Sequence, residues 1–558
     1  MALFTLFNNA LLIVYYFIVL HKVKEKRIMK VADYIANQFF KAGVRHVFGI
    51  PGGPSIPWME AFRDAGLEFI LTSHEAAAGV MADVTARLTG IPGVCHATFG
   101  PGATNISTGV GGALLDRSPV IVLTSEMSDE MAGRTTQMNI DHQRLLGTVT
   151  KATFRLSASN ASEVLEESFS ICMEEYPGPV HIGLPSGIEG YETSELPVSI
   201  PGRSIEKSRN ETERIIELLR QARKPLLAVG LTSKRLNISR ELMLFLDKYD
   251  IPVVITPMAK GIIPDNHPLF AGVLFHAMSD YLDELFEKCD LVIGLGYDPV
   301  EYNYETWMPD VPLIHFDTRK VDMPAGKSVF QYAGETGEWF RLMENLNSSA
   351  IISQRNVIKG IRDEMFSVFN GFTGHFGPAA AIKIMREELP EDSIVTADVG
   401  SHLHLLGQFW ETREKGRFII TNGWSGMGFG IPAAIASGIN CPGSTVVCIT
   451  GDGGFLMTAG EMMTARRYNL PVIVIVFSDG ELNLIRLKQS WKDISPYGTI
   501  LYHDDLFGSD VFLGIRVLSA STSDGFRKAI NTALSMNEPV IINAAIDPED
   551  YKWMVVKQ

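Results

Sequence analysis

From Met29 onward, short apolar runs alternate with segments whose apolar residues recur every three or four positions. HVFGI (46–50), EFILT (68–72), PVIVLT (119–124) and PVHIGL (179–184) read as buried strands, and VADYIANQFFKAG (31–43) and EAAAGVMADVTARLTG (75–90) as helices. The alternation resumes with PLLAVG (225–230), PVVIT (252–256), LVIGLG (291–296) and PLIHFD (312–317). It does so once more with SIVTAD (393–398), FIITN (418–422), TVVCIT (445–450), PVIVIVF (471–477) and PVIINAAI (539–546). Strands joined through helices pair in parallel, so the pattern predicts an α/β chain of three doubly wound parallel-sheet domains. A polar, proline-containing stretch (191–211) and an irregular one near 345–375 separate the blocks, giving domains at 29–195, 205–345 and 370–558.

Residues 1–28 stand apart. ALFTLFNNALLIVYYFIVL (2–20) carries no charge and is followed by HKVKEKR (21–27). A secretory signal would place positive charge before the apolar core and small residues after it, and neither is present. The unbroken apolar run is short for a membrane span. Two readings stand: an N-terminal anchor making membrane contact, or an extension upstream of a domain that starts at Met29.

Length and charge narrow the class. At 558 residues the chain exceeds what one core supports, and 46% hydrophobic against 20% charged residues is a globular composition. A net charge of −15 with no long basic run outside the N-terminus argues against a nucleic-acid partner. The cysteines (Cys95, Cys172, Cys289, Cys441, Cys448) are scattered, which implies a reducing compartment, here taken as cytoplasmic, without disulfides or a cysteine zinc site.

The chemistry centres on GDGGFLMTAG (451–460). Asp452 stands among glycines at the end of one strand, and Asp479, 27 residues on, ends the next, with a helix read over 455–468 between them. A βαβ unit of that size brings two carboxylates to one sheet edge, where they suit Mg²⁺ shared with phosphate oxygens. Glycines let the backbone approach a phosphate, and a helix N-terminus favours an anion. Either Asp-Gly motif alone would read as a turn. No G-x-x-x-x-G-K-[ST] occurs, and GMGFG (426–430) and GLGYDP (294–299) are weak dinucleotide signals.

GDG followed by an acid 27 residues later resembles the thiamine-diphosphate signature of the pyruvate decarboxylase and acetolactate synthase group. The resemblance runs from Met29 to near the C-terminus. GIPGG (49–53), SHEAAAGVMADVTARLTG (73–90), FGPGATN (99–105), ALLDRSPVIVLT (113–124), DVGSH (398–402) and NGWSGMGFGIPAAI (422–435) follow in the family's order. It implies a pyrimidine-binding domain first, a central domain second, a diphosphate- and Mg-binding domain third, and thiamine diphosphate and Mg²⁺ as cofactors.

What the resemblance implies can be carried over residue by residue. Glu75 matches the glutamate that bonds the aminopyrimidine ring and relays the proton. Asp452 and Asp479 match side-chain Mg²⁺ ligands, with Glu481 supplying a backbone carbonyl. Met427 matches the bulky residue that keeps the cofactor bent. Val399, Gly400, Ser401 and His402 match the diphosphate contact, as do Gly451, Gly453, Gly454, Leu482, Asn483 and Leu484; Pro51, Gly52, Pro101, Asn105 and Gly426 complete the cofactor contacts. The active site lies between subunits in this family, so a homodimer or homotetramer is implied, with a 2-oxo acid as substrate.

Several stretches depart from the family. Ser478-Asp479 stands where many members have Asn-Asn, and the acid is found in catabolic, flavin-independent acetolactate synthases. GLGYDPVEYNYETW (294–307) resembles the same flavin-free type, and a colourless protein is expected. Lys488 stands near the place of a tryptophan of the biosynthetic enzymes, with Trp491 offset by three. TTQMNIDHQ (135–143) departs from the family's Phe-Gln-Glu run on the acceptor side of the pocket. The implied activity is a carboligase that decarboxylates pyruvate and passes the two-carbon unit to a second 2-oxo acid. The alternatives are a decarboxylase or synthase with another acceptor, as in carboxyethylarginine synthase, and a non-catalytic cofactor-binding paralogue, against which intact Glu75, Asp452 and Asp479 speak.

Overall fold

The computed structural model describes residues 28–194, 197–198, 205–207, 211–323, 328–372, 374–412 and 416–555. The apolar segment read as anchor or extension lies, but for Ile28, outside the described residues. Among the described residues no helix is long and apolar enough to cross a membrane.

Three parallel sheets carry the chain. The first orders its strands Glu68–Leu71, His46–Ile50, Gly93–Ala97, Val120–Glu126, Val180–Pro185 and Ala152–Arg155, all parallel. The second runs Phe270–Val273, Val253–Ile255, Pro225–Val229, Leu291–Leu295, Leu313–Asp317 and Val329–Ala333. The third runs Phe418–Ile419, Ile394–Ala397, Val446–Gly451, Val472–Ser478, Val540–Ala545, Ile515–Ala520 and Val511–Phe512, with only the last pair antiparallel. The central strands are largely apolar on both faces and buried but for the terminal Ser478, as helices on both sides of a parallel sheet require.

Each sheet has a point from which successive strands are laid down in opposite directions. That point falls between 46–50 and 93–97, between 225–229 and 291–295, and between 394–397 and 446–451. At such switch points the loops leave the carboxyl edge in opposite directions and open a crevice in which α/β proteins bind ligands.

The first and third domains share one core. Ala78, Met81 and Ala82 of the helix Glu75–Thr89 pack in the same cluster as Ile431, Ala433 and Ala436 of the helix Gly430–Asn440. The central domain packs on the third through a second cluster.

Two elements differ from the sequence reading. The stretch near 345–375 holds a helix, Arg355–Gly371, that buries Ile358, Ile361, Met365 and Phe369. The helix after GDGG starts at Asp452, is broken by a 3₁₀ turn at Ala459–Glu461 and resumes at Met462–Arg467. Glycines are poor helix formers, which hid the early start, but Asp452 in the first turn stabilises that N-terminus. All five cysteines are free, and four of them are buried.

Candidate functional site

The third sheet's switch point gathers the diphosphate-side residues. The strand Ile394–Ala397 ends in Asp398, and the helix Ser401–Phe409 follows with Gly400 at its N-cap. Its neighbour Val446–Gly451 leads directly into Asp452, and the next strand, Val472–Ser478, into Asp479. The last two pair in register, Gly451 opposite Phe477, so the two aspartates leave adjacent strand ends. The His402 ring borders the end of the middle strand: a Cβ added to Gly451 would lie 3.5 Å from its Cε1.

Asp452 is buried and accepts from four donors. Its Oδ1 accepts from Gly453 N (2.8 Å); its Oδ2 accepts from Gly480 N (2.8 Å), Asp479 N (3.2 Å) and the Tyr502 hydroxyl (2.7 Å). Burial raises its pKa, and burial together with the Asp452 charge pushes Asp479 up to about 7. Two acids held this close in a poorly solvated corner resist sharing two negative charges, and a divalent cation relieves that cost. Asp479 Oδ1 accepts from Glu481 N at 3.2 Å, and the Glu481 carbonyl accepts from Asn483 N at 2.9 Å, leaving one lone pair free. Among the described residues no three His, Cys, Asp or Glu side chains form a metal cluster.

Three neighbouring side chains are buried without a protein partner for their polar ends. Ser401 Oγ, His402 Nε2 and both amide atoms of Asn483 have none. Burial lowers the His402 pKa to about 4 and keeps its ring neutral. Unmet buried polar atoms are costly, and these four, on side chains that follow strand ends of one sheet, fit a polar ligand. Leu482 caps the helix Asn483–Ser490, while Val399 and Leu484 lie half-buried against the core.

Two glycines of GDGG, Gly453 and Gly454, are also crowded by the protein itself. The sequence reading assigned them to close approach of a phosphate. A Cβ at Gly453 would stand 2.9 Å from Leu482 Cδ2 and 3.1 Å from Met427 Cε, and one at Gly454 2.3 Å from Asp398 Oδ2. A Cβ at Gly454 collides with a carboxylate held by four donors, whereas one at Gly453 would need only the ends of Leu482 and Met427 to shift.

Asp398, which the sequence reading left without a role, ties the site together. It accepts from Val399 N (2.7 Å), Gly428 N (2.9 Å), Phe429 N (3.2 Å) and Thr450 Oγ1 (3.0 Å), so one carboxylate fixes the loop that carries Gly426 and Met427. Burial raises its pKa to about 6. Its place in DVGSH, straight after an apolar strand, was the available signal. Tyr502 was missed as well, since its contact with Asp452 spans a separation of 50 residues.

The first sheet's switch point gathers the other set. Pro51 and Gly52 follow the strand His46–Ile50, and Pro101 and Asn105 lie on the helix Pro101–Leu115 that follows the neighbouring strand. Glu75 opens the helix Glu75–Thr89, is 7% exposed, and accepts from Asn105 Nδ2 at Oε2 (3.0 Å). His74 Nδ1 caps this helix by accepting from Ala76 N at 3.1 Å. Pro101 and Asn105 are exposed, so this edge is open in a single chain.

Comparison with known proteins fits this arrangement. Residues 29–145 match the thiamine pyrophosphate enzyme N-terminal TPP binding domain, 212–338 the central domain, and 398–544 the C-terminal TPP binding domain. That order of domains defines a thiamine-pyrophosphate-dependent enzyme. A probable acetolactate synthase large subunit of Methanocaldococcus jannaschii is 29% identical, covering 94% of this chain and 93% of its own. The acetolactate synthase isozyme 2 large subunit of Escherichia coli is 29% identical (95% and 97%), and an acetolactate synthase of Bacillus subtilis 26% identical (93% and 93%). The chain belongs to the acetolactate synthase family of these enzymes.

Proposed function

We propose that the chain is a thiamine-diphosphate- and Mg²⁺-dependent carboligase that decarboxylates pyruvate and passes the two-carbon unit to a second 2-oxo acid. The observation that carries this reading is the set of unpartnered polar atoms on Ser401, His402 and Asn483 beside Asp452 and Asp479. A hydroxyl, an imidazole and an amide suit phosphate oxygens, and two acids on adjacent strand ends suit the cation that accompanies them. The names of the relatives supply the reaction class.

When bound, thiamine diphosphate supplies an electron sink for the carbanion left when a 2-oxo acid loses carbon dioxide. Asp452, Asp479 and the Glu481 carbonyl would hold Mg²⁺ between the protein and the diphosphate. Ser401, His402 and Asn483 would meet the diphosphate oxygens, and Met427, held by the Asp398-fixed loop, would support the cofactor's middle. Glu75 would hold a proton against the pyrimidine ring, with Asn105 orienting its carboxyl. Pro51, Gly52 and Pro101 would line that side. A second copy of the chain would bring its own Asp452 edge to this Glu75 edge. In support, Met138, Ile140, Trp424, Leu456 and Met457 are large apolar side chains left exposed on a single chain.

A second reading, another acceptor, draws on one feature. In the loop that departs from the family pattern, Met138 has φ 60° and its backbone crowds Gly100 of the FGPG turn. This segment therefore borders the Glu75 edge with side chains of its own. Incubation of the purified protein with pyruvate, thiamine diphosphate and Mg²⁺ should yield carbon dioxide and acetolactate. Carbon dioxide without acetolactate, with a product appearing only when another electrophile is added, would favour the second reading. No pyruvate consumption and no cofactor binding would sink both.

A further inference from the structure

The helix that opens with Glu75 is held in place by the third domain. Two backbone N–H groups just before it, Ser73 N and His74 N, both donate to one carboxylate oxygen, Glu461 Oε1, at 2.9 and 2.8 Å. The other oxygen accepts from Thr464 Oγ1 at 2.7 Å. Around this bond the two segments are laced together. Ser73 Oγ donates to Gly460 O (2.8 Å), Leu71 N to Tyr468 OH (2.8 Å) and Arg467 to Leu71 O (2.7 Å). Glu461 is 1% exposed and sits in the 3₁₀ turn that interrupts the helical path begun at Asp452. A carboxylate buried at an interdomain seam, with both oxygens engaged and none of its contacts within its own sheet edge, has a specific geometric task.

That task follows from where the donors lie. Ser73 and His74 immediately precede Glu75, so the dihedral angles of this turn decide where the Glu75 carboxyl points. With Glu461 removed, the N–H donors of the exposed residues Ser73 and His74 and the buried Thr464 hydroxyl would lose the acceptor that fixes them, and the turn would be free to rearrange. A catalytic group displaced by about 1 Å loses on the order of 10²-fold in rate. We infer that Glu461 is a positioning residue, which fixes the Glu75 carboxyl for proton transfer by anchoring the turn at residues 73–74 from the neighbouring domain. The inference rests on the proposed role of Glu75.

Full-length E461A, E461D and E461Q test it against the parent protein with thiamine diphosphate and Mg²⁺. The readouts are the exchange of the bound cofactor's C2 proton for deuterium, cofactor affinity, and amide hydrogen exchange over residues 72–76. In E461A, C2 exchange should fall by about 10–100-fold while cofactor affinity changes by less than about threefold, and amides 72–76 should lose protection while those of the central strands keep it. E461Q should restore C2 exchange to within about threefold of the parent, because an amide oxygen accepts the same two N–H bonds and its NH₂ reaches Thr464. E461D keeps the charge but is one methylene short and should resemble E461A, which serves if the alanine protein does not fold. C2 exchange at the parent rate in both E461A and E461D would overturn the inference, as would equal impairment in E461Q and E461A. If the parent protein binds no thiamine diphosphate, the functional reading fails; unchanged protection of amides 72–76 in E461A would then separately refute the anchor.

Discussion

The Tyr502 hydroxyl donates to Asp452 Oδ2 at 2.7 Å, and it does so on an oxygen that already accepts two backbone N–H groups. The backbone donors suffice to orient the carboxylate, and the phenol takes up charge that a cation would otherwise use. Tyr502→Phe is therefore expected to tighten Mg²⁺ binding by at most the worth of one hydrogen bond to a charged group, about 1.5–3 kcal/mol. Half-saturation of cofactor binding as Mg²⁺ is raised, followed by intrinsic fluorescence, reads it out. Weaker binding in the phenylalanine protein would show instead that the phenol orients Asp452.

The central domain closes its own switch point. At the carboxyl ends of Pro225–Val229 and Leu291–Leu295, Thr232 N donates to Gly296 O at 3.0 Å and Ser233 Oγ to Leu295 O at 2.6 Å. A Cβ on Gly230 would lie 2.5 Å from Tyr297 Cα. The backbone packs closely at this point, where a dinucleotide phosphate would need free helix N–H groups. The purified protein should be colourless, and denaturation should release no flavin. A stoichiometric yellow chromophore would contradict this.

Glu301 sets a pH dependence of stability. It is 7% exposed, accepts from Met258 N at 2.8 Å, and burial raises its pKa to about 8 from 4.5. Between those values the folded chain holds a proton that the unfolded chain has released. Stability is thus full below pH about 4.5 and falls as pH rises towards about 8, by up to about 1.4 kcal/mol per pH unit for this one group. Denaturant unfolding of Glu301→Gln across this window should lack that part of the decline. Parallel curves for variant and parent would show that Glu301 ionises in the folded protein as it does in water.

Local pattern made part of this molecule legible. Asp452 and Asp479 could be placed on adjacent strands because a parallel βαβ unit of 27 residues leaves few alternatives, and the structure has those strands in register. The helix at 355–371 was legible in principle, since Ile358, Ile361, Met365 and Phe369 recur at helical spacing, but its polar surroundings masked the pattern. Glu461 and Tyr502 were not legible. Their partners lie 387 and 50 residues away, and nothing in a neighbouring stretch signals a contact made only after domains pack. The GDGG glycines show a third case: the residue type was clear, but the crowding of Gly453 and Gly454 by Met427, Leu482 and Asp398 was not.

The two halves of the site have separable tasks, and variants should separate them. Asp452→Ala should lose thiamine diphosphate binding in Mg²⁺, because the diphosphate loses its main charge compensation. Glu75→Gln keeps the size and a hydrogen-bonding end, so its cofactor affinity should stay near that of the parent. The most direct measurement is pyruvate consumption by Glu75→Gln protein shown to be saturated with thiamine diphosphate and Mg²⁺. Turnover should fall by roughly 10²–10⁴-fold, the worth of a positioned acid–base group. Turnover at the parent rate with cofactor bound would mean that Glu75 does not carry the proton and that the site is wrongly assigned.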